Sequence, residues 1–238
     1  MCLVKIFKTI KQKESNVLIT QLATLNSHIN DFELSIQGYK FERKDRANKS
    51  GGGLIVYVKE IISLNTRRYD LENTIESIWI QITFTNTKPF LINFVYRPPD
   101  SRQDWIDIYE NKNKSAVNQF PEIFIFGDFS IPFTSKNISC NLKWSTFYSI
   151  YGLTQLITEL TRVTQNTSSI IDHIYTTYPD RVSDIVVPKV AISDHFPVGI
   201  TWCVNQCNFD KNVSKYMTYR CFKQFNERSF LKRVTFFW

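Results

Sequence analysis

Nothing in this chain stays apolar for long. No stretch approaches the roughly 18 apolar residues that a membrane-spanning helix requires, so the sequence offers no span and no membrane partner. Residues 1–13 are interrupted by Lys5, Lys8 and Lys11, which leaves no continuous apolar stretch for a secretory signal. Cysteine is sparse and unpatterned. Cys2, Cys140, Cys203, Cys207 and Cys221 are odd in number, and the Cys203/Cys207 pair lacks the second ligand pair of a zinc site. The expectation is reduced thiols in an intracellular protein, nuclear or cytoplasmic and not secreted. No internal repeat is visible. A chain of 238 residues with 43% hydrophobic content then reads as one sizeable α/β domain with its own core.

An excess of positive charge is also missing from the middle of the chain. The formal net charge is +7, yet residues 14–204 hold eighteen basic against twenty acidic residues. The basicity sits in residues 1–13 and 205–238, so it does not by itself mark a nucleic-acid groove on the domain. Locally, Arg43, Lys44, Arg46 and Lys49 run into a triple glycine. That cluster suits phosphate contact or a solvated loop.

What is present is strand-like. Ser77 to Thr85 alternates, with Ile78, Ile80, Ile82 and Phe84 on one face and Trp79, Gln81 and Thr83 on the other, which predicts a half-buried strand. The turn at Asn86–Pro89 pairs it with Phe90 to Tyr96. Leu54 to Lys59, Glu122 to Phe126, Ile171 to Thr176 and Phe196 to Trp202 read as further strands, and 102–120 and 143–151 as helices. Strands outnumber helices, a pattern that suits two packed sheets flanked by helices.

Acidic side chains recur at the ends of these strands: Gly127-Asp128-Phe129-Ser130, Ile171-Asp172-His173-Ile174 and Ser193-Asp194-His195-Phe196. A single such Asp is an ordinary turn residue. Three converging carboxylates with an imidazole instead suggest a site for a hard metal ion and a general base, because a buried carboxylate is costly without a cation or donor.

The order of the motifs resembles the endonuclease/exonuclease/phosphatase superfamily, and most closely the apurinic-type endonuclease domain of non-LTR (LINE-like) retrotransposons. The matching strings are Lys44-Asp-Arg46 with 50–58, Ser77-Ile-Trp-Ile80, Val95-Tyr-Arg-Pro-Pro99, Phe126-Gly-Asp-Phe129, Leu153-Thr-Gln-Leu156, Thr161-Arg-Val-Thr164, 169–175 and Ser193-Asp-His-Phe-Pro197. They run from about Asn16 to Trp202. The resemblance implies an α/β (α+β) fold, a four-layered αββα sandwich of two packed mixed sheets flanked by helices. It implies a Mg²⁺- or Mn²⁺-dependent phosphodiester hydrolase of the DNA endonuclease type, a monomer acting on the DNA backbone with no small-molecule cofactor. By the same resemblance Asp194 and Asp128 ligate metal, Asp128 also positions or deprotonates the attacking water, and Asp172 orients His195, which contacts phosphate or serves as base. Tyr96 approaches a phosphate oxygen or packs as a strand-end aromatic. Ser130, Arg97, Arg43, Lys44 and Arg46 are candidate phosphate or DNA contacts, with Asp100 an alternative partner for Arg97. His173 packs or bonds locally.

The chain departs from that pattern in places. Ser130 stands where the family has Asn, and Leu22 aligns with a metal-ligating Glu. No first strand is expected ahead of about Asn16, so the domain is read as 1–204 with that strand missing. Residues 205–238 form a basic, aromatic tail resembling the connector to a reverse transcriptase. The loss of an oxygen ligand weakens a hard-cation site. Two readings follow: an impaired metal-dependent endonuclease with weakly bound metal, or an inactive transposon-derived relic that keeps the fold and binds nucleic acid weakly.

Overall fold

The structure, a computed structural model, describes residues 4–12, 15–22, 25, 28–46, 52–60, 62, 64–131, 138–190 and 194–203, with side chains from Leu25 onward except at 64 and 138–141. The chain divides into two units, 1–207 and 208–238. The expected basic tail lies outside the described residues, as does the side chain of Leu22.

Two six-stranded sheets face each other. The first is built from β1 (Val4–Gln12), β2 (Ser15–Leu22), β3 (Tyr39–Lys44) and β4 (Leu54–Lys59), with α1 (Asp31–Leu34) between β2 and β3. The second takes β5 (Leu64–Arg67), β6 (Ser77–Thr83), β7 (Phe90–Tyr96), then α2 (Trp105–Gln119), β8 (Ile123–Asp128), α3 (Ile138–Ile150) and β9 (Thr154–Gln155). A small ribbon of β10 (Arg162–Val163) and β11 (Ser168–Ser169) precedes β12 (Asp172–Thr176), which returns to the second sheet. Strands β13 (Val182–Val186) and β14 (Gly199–Trp202) close the first. The orders are β13-β14-β1-β2-β4-β3 and β5-β6-β7-β8-β12-β9. Both sheets are mixed: β1 runs parallel to β14 and β7 parallel to β8, and the other pairs are antiparallel.

The alternation of the strands decides what packs where. Ile78, Ile80, Ile82, Phe94, Phe124, Phe126 and Ile174 point between the sheets and meet Val56, Val58, Ile200 and Trp202 from the first sheet. Trp79, Leu91, Val95, Ile123, Ile125 and Tyr175 point the other way, beneath α2 and α3. β6 is therefore buried on both faces at Trp79, where the sequence predicts a half-buried strand, because α2 covers the face assigned to solvent. Helix α2 supplies Trp105, Tyr109, Asn113 and Ala116 at successive turns. A chain of buried hydrogen bonds ties the helix to the sheet: Tyr109 Oη donates to Asn93 Oδ1 (2.7 Å), and Asn93 Nδ2 donates to the Ile78 carbonyl (3.3 Å). The outer layer over the first sheet is thin among the described residues, with Leu25 and Leu34 of the α1 region on Ile55 and Tyr57. Among those residues no helix is long and apolar enough to cross a membrane.

The expectation of a missing first strand is corrected by β1, which pairs with β2 as a hairpin and with β14. The lysines that break an apolar run do not prevent a strand, because ladder bonds come from backbone groups. The last strand is shorter than 196–202: the residues before Gly199 form the approach to β14.

Candidate active site

Register places the first three candidates side by side. Tyr96 of β7 is opposite Asp128 of β8, and Asp128 is opposite Asp172 of β12, at the ends of three adjacent strands. All three fall on the same face as Phe94, Phe126 and Ile174, so they sit where the inter-sheet core reaches its mouth. Gly127 permits this row. A Cβ there would lie 2.5 Å from the Val95 carbonyl oxygen and 2.6 Å from Val95 Cγ1.

His195 arrives from the opposite sheet, on the approach to β14. Its Nδ1 lies 2.8 Å from Asp172 Oδ2, with side-chain exposures of 10% and 1%. A carboxylate at that distance accepts the Nδ1 proton and leaves Nε2 as the ring's second functional nitrogen. Asp128, Asp172 and His195 each offer a ligand atom, all within 4.8 Å of one another.

The segment 161–163 holds both sides of this pair. Buried Thr161 accepts at Oγ1 from the backbone N–H of Ile171 (3.1 Å) and Asp172 (3.0 Å), and its carbonyl accepts from Phe196 N–H (2.7 Å). Val163 N–H donates to the Asp194 carbonyl (2.9 Å), and Arg162 forms an antiparallel bridge with His195. Sequence reasoning quotes Thr161-Arg-Val-Thr164 as a motif but gives Thr161 and Arg162 no role.

Asp128 is fixed by the turn that follows it. Ser130 sends both its N–H (2.8 Å) and its hydroxyl (3.2 Å) to Asp128 Oδ1, with a left-handed φ of +46°. Asp194 is placed differently from Asp172. Its Oδ2 accepts from Arg162 Nε at 2.8 Å, and its carboxylate is not among the three converging ligands. Burial would raise the Asp194 pKa, but the Arg162 hydrogen bond and the charges of His195 and Arg162 outweigh it and hold the group below its usual range.

His173, next to Asp172, points to the opposite face of β12. It packs edge-on to Phe129, and its ring nitrogens face Gln155 Nε2 (3.0 Å) and the Ile131 carbonyl (3.4 Å). The Gln155 amide nitrogen, which also donates to the Ile157 carbonyl, can only donate, so Nδ1 accepts and Nε2–H donates, a neutral tautomer. Burial holds its pKa down to about 4 against the opposing effects of Asp172, Ile131 and Asp128.

The basic candidates are engaged by protein groups. Arg97 sends Nη1 to the Phe129 carbonyl (3.3 Å) and lies over the Trp105 ring, on the helical side of the sheet. Arg43 is held by Asp45 and Asp31, Lys44 by Glu72 and the carbonyls of Asn73 and Ser77, and Arg46 by Glu76 (3.0 Å). Lys44 and Arg46 thereby brace the first sheet against the start of β6.

Two carboxylates and an imidazole suit a divalent cation. A hard ion needs one or two carboxylates and keeps waters for the rest of its shell. Asp128 and Asp172 would supply the oxygens, with His195 beside them.

No protein-family model and no curated protein sequence matches the chain. The endonuclease domain of TRAS1, a telomere-specific non-LTR retrotransposon, is similar in structure with a TM-score of 0.56 at 14% identity, over 68% of this chain and 77% of that one. The 3′ phosphatase NExo from Neisseria, in a structure bound to a product DNA hairpin, has a TM-score of 0.56 at 15% identity, over 76% and 86%. The chain has the endonuclease/exonuclease/phosphatase fold.

Proposed function

We propose that this chain is a metal-dependent phosphodiester hydrolase acting on DNA, with turnover lowered by its departures from the family pattern. The observation that carries the reading is the convergence of Asp128, Asp172 and His195 within 4.8 Å, with His195 locked to Asp172 at 2.8 Å.

Each residue has a task at the mouth. Asp172, almost wholly buried, holds His195 in one tautomer and stabilises its charged form, as a carboxylate does for the histidine of a hydrolase triad. His195 Nε2 then meets a phosphate oxygen or the attacking water. Asp128, with Oδ1 tied to Ser130, accepts a proton from water or orients it. Tyr96, one strand away, offers its hydroxyl to the phosphate. A divalent ion bound by the carboxylates would supply charge neutralisation on the phosphate.

Three features support slow turnover. Ser130 offers one side-chain donor where Asn offers two. Leu22 supplies no oxygen where the resemblance places Glu. Asp194, the other metal candidate, is committed to Arg162. A fluorescently labelled duplex incubated with purified protein tests the reading. Cleavage in Mg²⁺ or Mn²⁺ that stops in EDTA supports it. Absence of cleavage alongside retained DNA binding favours the relic that binds without turnover.

A further inference from the structure

Arg162 stands out among the basic residues near the mouth. Arg43, Lys44 and Arg46 lie against two or more carboxylate or carbonyl groups. Arg162 donates only Nε, to Asp194 Oδ2, and its side chain is 41% exposed. Among the described residues its Nη1 and Nη2 groups meet no protein acceptor. Such a single contact through Nε orients the guanidinium and leaves its Nη edge open. That edge carries two parallel N–H donors, the geometry that receives two oxygens of one phosphate.

Position adds to this. Arg162 is bridged to His195 across an antiparallel ladder, which puts the two side chains on the same side of that ribbon with Cβ atoms about 5 Å apart. The strap that carries Arg162 also fixes Asp172 through Thr161. An exposed guanidinium, oriented by Asp194, is therefore carried by the strap whose backbone is bridged to His195.

We propose that Arg162 binds a backbone phosphate of the nucleic-acid substrate, with Asp194 serving as the group that aims it. This rests on the phosphodiesterase reading above for the class of ligand. Asp194 in this chain then acts through Arg162.

The test is fluorescence anisotropy of a labelled DNA duplex titrated with the full chain in EDTA, over a series of salt concentrations. Loss of one phosphate contact in Arg162→Gln should weaken binding about five- to tenfold near 0.1 M salt and lower the slope of log K against log salt by about 0.9. Arg162→Lys should keep the wild-type slope, because the charge remains, and bind more weakly because the fork is lost. Asp194→Asn should bind as tightly as wild type or tighter at low salt, since it removes a competing anion. An unchanged slope in Arg162→Gln would overturn the proposal, as would a wild-type chain that binds no DNA. Should Arg162→Gln fail to fold, the lysine and asparagine variants decide: a reduced slope in Arg162→Lys, or Asp194→Asn weakened, overturns it. Duplex binding with the predicted slopes but no Mg²⁺-dependent cleavage would remove the hydrolase reading and leave Arg162 as a phosphate contact.

Discussion

Residues 172 to 173 and 194 to 195 spell the same dipeptide, Asp-His, and the structure gives its two copies opposite uses. On β12 the pleat sends Asp172 to the mouth and His173 to the helical face, where it is 1% exposed and neutral. A folded-state pKa of about 4 against an ordinary 6.5 means that the unfolded chain binds the proton more readily. The stabilising contribution is therefore complete above about pH 6.5 and is lost as pH falls toward 4. Urea unfolding at pH 7 and pH 5 should show a loss on the order of 2 kcal/mol attributable to this group. His173→Gln should flatten that part of the profile, and an unchanged pH dependence in the variant would remove His173 as its source. Ser130 invites the reverse kind of change. Its φ of +46° lies where non-glycine residues are disfavoured and Asn is tolerated best. Ser130→Asn should leave stability equal or raise it by about 0.5 kcal/mol, and should speed metal-dependent cleavage by restoring an amide beside Asp128. A slower Ser130→Asn enzyme would show that the hydroxyl contact to Asp128 matters more than the amide.

At the level of elements, legibility followed burial. Strands β4, β6, β7, β8 and β12 carry dense apolar residues because both faces are covered, and their boundaries are readable to within a few residues. The polar strands were not readable. β3 spells Tyr-Lys-Phe-Glu-Arg-Lys at a sheet edge, so its charges read as a loop, and β13 is another exposed edge. The β6–β7 turn was legible through Asn86, which takes a φ of +61°. Two glycines separate the reasons for a glycine. At Gly127 a methyl would enter the backbone of β7, so Gly127→Ala should cost about 1–3 kcal/mol or more, as overpacking does. At Gly152, with a φ of +63° and open space around it, Gly152→Ala should cost only the left-handed penalty of about 1–2 kcal/mol. Chemical denaturation ranks them, and metal-dependent cleavage should suffer in Gly127→Ala alone, since Asp128 sits next in the chain. Equal effects on cleavage would mean that Gly127 does not set the position of the row.

For the whole molecule, the fold explains why short motifs scattered over a hundred residues make one place. Tyr96 and Asp128 were legible because each closes an apolar strand, Asp172 because it opens one, and His195 because it stands just ahead of another. Their union needs the facing of two sheets, which no local pattern contains. The roles of Thr161 and Arg162 were not legible for the same reason: their partners at 172 and 194–196 are distant in sequence. Charge gave little guidance, because the basic candidates at 43, 44 and 46 are tied to acids within the domain. The most direct test of the central claim is a supercoiled-plasmid nicking assay in Mg²⁺ comparing the wild-type chain with Asp128→Ala and His195→Ala. A general base alone is worth roughly 10²–10⁴-fold, so the account predicts slow, EDTA-sensitive nicking by the wild type and none detectable in either variant. Equal nicking by all three proteins would contradict it.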